Sequence, residues 1–181
     1  MRFSGHRKIP PGQVDALARR LRLTIIKLIE DGYIYFLTGG ALGFDTLAAK
    51  TILALRTNYP HIQLILALPC VSQADKWSSS KKAIYDEIKE SADKVIYTSK
   101  EHTRECMHKR NRYLVDSSSI CVCYLTESTG RRTQCHMQAG RNCSLLTLRK
   151  NKKAGFSACK HTICFVKYIT SRHTLCNKSH V

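Results

Sequence analysis

The stretch Tyr33-Ile34-Tyr35-Phe36-Leu37-Thr38, running into Gly39-Gly40-Ala41-Leu42-Gly43-Phe44-Asp45, restricts the fold of this chain more than any other segment. Six residues dominated by aromatic and β-branched side chains read as a strand. From Asp45 onward Leu47, Ala48, Ala49, Ile52 and Leu55 recur at helical spacing. The glycines between them accept positive φ and keep side chains away, so backbone N–H groups and the helix N-terminus can approach an anion. A strand, a phosphate-cradling turn and a helix are expected. The spacing is neither G-x-G-x-x-G nor a Walker loop, since no Lys-Ser/Thr follows Gly43. By residue type alone it also fits a plain tight turn in which Asp45 caps the helix.

Around this unit the chain alternates strand-like and helix-like segments. Arg2 to Arg7 reads as a short strand entering a loop that carries Gly5, His6 and Arg7. A helix is expected from Gln13 to Glu30, with Val14, Leu17, Leu21, Ile25 and Leu28 on its apolar side and Arg19, Arg20, Arg22 and Lys27 on a solvated face. Ile62 to Leu68 is a nearly continuous apolar run, the pattern of a strand buried on both faces. Pro69 ends it, and the following loop holds Gln73, Asp75, Lys76 and Trp77, the only tryptophan. By position Trp77 fits either packing or ligand stacking beyond a strand end. A helix through Ser91 with Ile84 and Ile88 on one face, a strand at 94–98, a helix over 103–116 and a strand at 119–125 complete the pattern. Short connections between alternating elements predict an α/β fold: an open, mostly parallel sheet with right-handed crossovers.

Composition narrows the functional classes. At 181 residues a single core can form without disulfides, and nine cysteines, an odd number with no C-x-x-C pair, suit a reducing compartment. With no signal-peptide pattern and no apolar run of spanning length, a cytoplasmic location is expected, with no membrane partner. Cys159, His161 and Cys164 match no zinc spacing, so no metal site is assigned. The formal charge of +17 points toward nucleic acid, yet its distribution is uneven. All thirteen acidic residues lie at or before Glu127, whereas 131–181 hold eleven Lys and Arg and none. The chain therefore divides into an α/β domain over 1–130 and a basic, cysteine-rich tail over 131–181.

Ser4-Gly5-His6-Arg7, Thr38 to Asp45, Leu68-Pro69-Cys70 and Arg110-Asn111-Arg112 occur in an order that resembles the SLOG superfamily, with the YpsA-like branch the nearest in pattern. That superfamily joins the DprA or Smf DNA-processing proteins with the LOG phosphoribohydrolases. The resemblance covers residues 2 to about 130 and implies a Rossmann-like fold with helices on both faces of the sheet. It also implies a nucleotide or nucleotide-derived ligand, of the NAD or ADP-ribose type, at the sheet's carboxyl edge. Carried onto this chain, Gly39, Gly40, Ala41 and Gly43 would supply backbone donors. Arg7 and Arg110 would be the cations, Asn111 a hydrogen-bonding partner, and Asp45 a ribose contact or a helix cap. Gly5, His6, Thr38, Pro69, Gln73 and Trp77 complete the expected binding set. No definite cofactor and no catalytic residue are assigned. Thr38 stands where LOG enzymes carry proline, Asp45 replaces their catalytic pair, and no Ser-His-Asp or Cys-His set assembles from local spacing. DprA-like binding of single-stranded nucleic acid and LOG-like hydrolysis of a nucleoside monophosphate are the two rival functions.

After the fifth strand the family pattern calls for a second glycine turn, then a helix and a last strand. Here Gly130 is followed instead by Arg131-Arg132-Thr133-Gln134-Cys135-His136-Met137-Gln138-Ala139. Back-translation with codon boundaries moved one nucleotide upstream allows Gly-Thr-Ala-Tyr-Thr-Val-Ser-Tyr-Ala over the same stretch. The expectation is an out-of-frame tail from about Gly130, no closing strand, and an exposed sheet edge.

Overall fold

The computed structural model describes residues 1–124, 144–148 and 165–166. Seven strands form one sheet: β1 (Arg2–Gly5), β2 (Tyr35–Thr38), β3 (Gln63–Leu68), β4 (Lys94–Tyr97), β5 (Ile120–Tyr124), β6 (Ser144–Leu148) and β7 (Phe165–Val166). Their spatial order is β4-β3-β2-β1-β5-β6-β7, with every pairing parallel except β6 with β7. Four helices connect the first five strands: α1 (Val14–Glu30), α2 (Phe44–Leu55), α3 (Ser79–Ser91) and α4 (Cys106–Asp116).

The chain steps outward from β1 to β4 and then returns to place β5 on the other side of β1. Right-handed crossovers put the helices of the outward path on one face and the returning helix on the other. Packing follows that rule. Leu17, Leu21 and Ile25 of α1, Ala48 and Ile52 of α2, and Tyr85 and Ile88 of α3 join Phe3, Phe36, Leu64, Leu66 and Val122 in one core. Leu114 of α4 packs with Leu37 and Ala67 on the opposite face. The sheet is thus the Rossmann-like, doubly covered one expected. Chain direction across the sheet reverses between β1 and β5, and the carboxyl ends of the strands at such a switch point are where open α/β sheets bind ligands.

Several boundaries shift from the sequence reading. Pro11–Gln13 forms a 3₁₀ turn, so α1 starts at Val14, because proline suits a first turn but offers no N–H to continue one. On α3, Tyr85 and Ile88 face the core, whereas Ile84 is 36% exposed. The expected open edge at β5 is closed: β6 pairs along it from Ile120↔Ser144 to Tyr124↔Leu148, with Leu148 buried. Ser144-Leu-Leu-Thr-Leu148 is a short apolar run, and that is enough to satisfy a strand edge whatever its coding origin. Apart from β6 and β7, the 131–181 tail, with Cys159, His161 and Cys164, lies outside the described residues.

One polar clamp ties the far end of the fold together. Asp93, just before β4, accepts hydrogen bonds from Leu64 N at 2.7 Å and from Arg56 Nη2, while Arg56 Nη1 donates to Ser91 O at 3.1 Å. The ion pair is partly solvated and contributes little alone. The amide of Leu64 loses its acceptor in Asp93→Ala, however, and that variant is expected to be about 1–2 kcal/mol less stable in urea unfolding. An unchanged midpoint would assign the clamp no structural weight.

Candidate ligand-binding site at the carboxyl edge of the sheet

The glycine turn after β2 is held from four sides. Gly40 and Gly43 have φ of 61° and 82°, conformations that other residues rarely adopt. Thr38 Oγ1, fully buried, accepts a long hydrogen bond from Gly40 N at 3.5 Å, and Thr46 Oγ1 donates to Ala41 O at 3.0 Å. Gln73 Nε2 donates to Gly40 O at 2.7 Å from the loop after β3. From α4, Arg110 Nη1 donates to Gly39 O at 3.0 Å.

Asp45 does not cap α2. Gly43 is the N-cap residue, and Asp45 sits in the first turn, turning its carboxylate back into the loop. Its Oδ2 accepts from Ala41 N at 3.4 Å, and Gly39 N is a further donor to it. Arg110 Nη1 lies 3.9 Å from the same oxygen, with both side chains 9% exposed. Burial raises the pKa of Asp45, an effect countered by Arg110, by the amides of Ala41 and Gly39, and by Arg7. Burial likewise lowers that of Arg110, with Asp45 opposing. A protein carboxylate therefore occupies the inner part of the cradle, backed by a buried guanidinium.

This arrangement divides the expected donors. The amides of Gly39 and Ala41 point inward onto Asp45, and that of Gly40 turns to Thr38. Phe44 N is committed to His6 O at 3.1 Å. Among the described residues the amides of Leu42 and Gly43 carry no hydrogen bond. Gly43 lies directly against the backbone oxygens of His6 and Arg7, where any Cβ would collide. Arg7 is exposed and close enough to act on both Asp45 and Arg110. The outer half of the turn thus brings free N–H groups beside a solvent-facing cation.

Other expected residues divide in the same way. His6 packs edge-on against Tyr124, ring centroids 5.9 Å apart, where β1 and β5 end side by side. Gly5 is tight against Phe44, whose ring stacks with Tyr124 at 5.8 Å. Pro69 is buried behind the loop that presents Gln73. Trp77 packs edge-on against Tyr85 at 5.3 Å, so its packing role is visible. Asn111, half-buried beside Arg110 on α4, makes no hydrogen bond to the turn among the described residues.

Tyr85 is the residue that sequence reading passed over. Its ring lies against Gly40, its hydroxyl is buried without a partner, and burial raises its pKa, with Tyr97, Asp86, Cys70 and Asp75 adding to the shift. Only its spacing three residues before Ile88 could have marked it as inward-facing. Among the described residues no cluster of His, Cys, Asp and Glu could hold a metal ion, and no helix is long and apolar enough to cross a membrane.

With this geometry in hand, residues 11–144 match the YspA SLOG family. A UPF0398 protein of Halalkalibacterium halodurans is 33% identical over 109 residues, 59% of this chain and 58% of that protein. The uncharacterised SPbeta prophage-derived protein YoqJ of Bacillus subtilis is 33% identical over 110 residues, 54% of this chain and 64% of its own length. The chain is thus matched to only 58% and 64% of these two relatives. In fold it is similar to DNA processing protein A from Helicobacter pylori, a protein described with a single-stranded DNA binding mode. That similarity has a TM-score of 0.56 at 18% identity and covers 83% of this chain and 65% of the other.

Proposed function

Because this chain belongs to the YspA SLOG family, and because its glycine turn sits beside an exposed arginine, we propose that it binds a nucleotide-derived small molecule. The ligand class is that of NAD or ADP-ribose, and the role is that of a sensor or regulator. One observation carries this reading: Gly43 rests on the backbone of His6 and Arg7, which sets free amides and a solvent-facing cation at the sheet's carboxyl edge. A phosphate group suits that setting, since the N-terminus of α2 and its preceding amides favour negative charge. Arg110 and Asp45 are assigned a different part. They hold the turn in shape from beneath and leave the ligand's charge to Arg7.

Calorimetry with ADP-ribose, NAD and AMP tests the proposal. At least one should bind, and Arg7→Ala should weaken it about tenfold or more, the loss of one charge-assisted hydrogen bond. Absence of binding to all three would remove the reading.

The second reading, binding of single-stranded nucleic acid, is favoured by the net charge of +17 and the structural neighbour. It requires affinity that falls steeply with salt. It also requires that binding survive replacement of the Lys and Arg of residues 131–181 by Gln, which leaves the residues of β6 and β7 unchanged. Loss of DNA binding with those charges would assign it to nonspecific attraction.

A further inference from the structure

At its β1 end the glycine turn meets His6 and Arg7, and at its β3 end Gly40 meets Leu68, Gln73 and Tyr85. Three peptide units separate Gly40 from Gly43, at most about 11 Å, a length that a mononucleotide spans. The two ends differ in chemistry. The first is cationic and rich in amides, whereas the second is neutral and partly aromatic.

At the neutral end two polar atoms are buried without partners. Gln73 has its Nε2 committed to Gly40 O at 2.7 Å, which fixes the side-chain amide so that Oε1 is the atom left over. The Tyr85 hydroxyl is likewise unpaired, and no hydrogen bond joins the two. Both side chains approach the position a Cβ on Gly40 would take, Tyr85 Cε2 at 3.4 Å and Gln73 Nε2 at 3.6 Å. Buried polar atoms are nearly always satisfied, so a fixed acceptor and a rotatable donor left unpaired on two side chains that meet at one glycine call for a partner that supplies the complement.

From this we infer that Gln73 and Tyr85 form a subsite for a planar neutral group bearing an N–H donor next to an acceptor, the edge of a nucleobase or of a carboxamide. The ligand's N–H donates to Gln73 Oε1, and the Tyr85 hydroxyl donates to the ligand's acceptor. The flexible end of Leu68, the atom nearest to the Cβ position of Gly40, has to swing aside as that edge approaches. This inference rests on the nucleotide reading above and adds which end of the molecule lies on which side of the turn.

Trp77 provides a local reporter. It is the only tryptophan and packs edge-on against Tyr85, so a group seated on the hydroxyl alters the indole's surroundings. AMP, nicotinamide mononucleotide and ribose 5-phosphate are titrated into the full chain and into Tyr85→Phe, by calorimetry and by Trp77 fluorescence. At least one base-bearing ligand should bind about tenfold tighter than ribose 5-phosphate and change the emission, while ribose 5-phosphate binds without changing it. AMP in this role points to a nucleobase, and nicotinamide mononucleotide to a carboxamide. In Tyr85→Phe the preferred ligand should lose about five- to tenfold in affinity, ribose 5-phosphate should be unaffected, and the ligand-free protein should melt no lower than wild type. Equal binding of all three ligands would overturn the subsite while leaving the phosphate cradle standing. A Tyr85→Phe variant that melts lower and weakens every ligand alike would also overturn it, by assigning the hydroxyl a structural role. Failure of all three to bind wild type would overturn the subsite and the nucleotide reading together.

Discussion

Arg110→Ala is expected to destabilise the protein by about 3–5 kcal/mol, because it leaves the buried Asp45 carboxylate without its cation and Gly39 O without its donor. Chemical denaturation measures the loss, and a change under 1 kcal/mol would show that the pair is dispensable. The same side chain explains why position 39 is glycine. A Cβ there would land on the Arg110 guanidinium. Gly39→Ala should therefore be severely destabilising in the wild-type background and much less so once Arg110 is alanine, a strongly sub-additive double-mutant cycle, with only the Asp45 carboxylate left close to the new methyl group. Additive losses would mean that the two positions do not compete for one space.

The pair also sets a pH dependence. Asp45 has its folded pKa raised above the ordinary value of 3.8, chiefly by burial. Between that value and the folded one, the native state keeps a proton that the unfolded chain has released. Stability accordingly falls as pH rises through this window and levels off above the folded pKa. Asp45→Asn should flatten that slope. Arg110→Met, by removing the strongest influence drawing the pKa back down, should extend the slope to higher pH.

Gly43→Ala is the second large expected effect. The residue combines φ of 82° with ψ of −115°, a region essentially confined to glycine, and its α-carbon faces the backbone oxygens of His6 and Arg7. Strain of about 1–3 kcal/mol adds to a steric overlap that only backbone movement can relieve, typically about 1–3 kcal/mol more. The turn should separate from the β1 loop, so ligand affinity should fall with stability. A Gly43→Ala protein with wild-type melting temperature and wild-type binding would contradict this account of the turn. Gly40→Ala gives a contrasting case, since its nearest obstacle is the flexible end of Leu68, although its φ of 61° still carries strain.

How legible this fold was from residues alone depended on the range of the interactions involved. The alternation of strands and helices, the position of the glycine turn and the continuous burial of β3 are local in sequence. Each follows from periodicity over a few residues. The inward turn of Asp45 depends on Arg110, sixty-five positions away, and the tie from Gln73 to Gly40 spans thirty-three. No local pattern encodes such meetings. Arg110 and Arg7 look alike as residue types, yet one is locked beneath the turn and the other is open to solvent, because α4 packs on the opposite sheet face from α2. Tyr85 was hidden for the same reason, since only the approach of α3 to the turn makes its hydroxyl notable. At the closing edge, β6 carries no family motif: it is an ordinary apolar run that follows the departure of 131–140 from the family pattern, and only its pairing with β5 marks it as a strand.

The position of β1 between β2 and β5 also has a consequence for how the chain is made. As synthesis proceeds from the N-terminus, β1 through α4 are complete while one side of Phe3 still lacks Val122, its neighbour across the sheet. A nascent chain halted before Ile120 would present one unpaired edge of the central strand β1 as an open template for other chains. Ribosomal stalling or truncation at that point should therefore yield aggregates, whereas release after Tyr124 gives β1 its second neighbour.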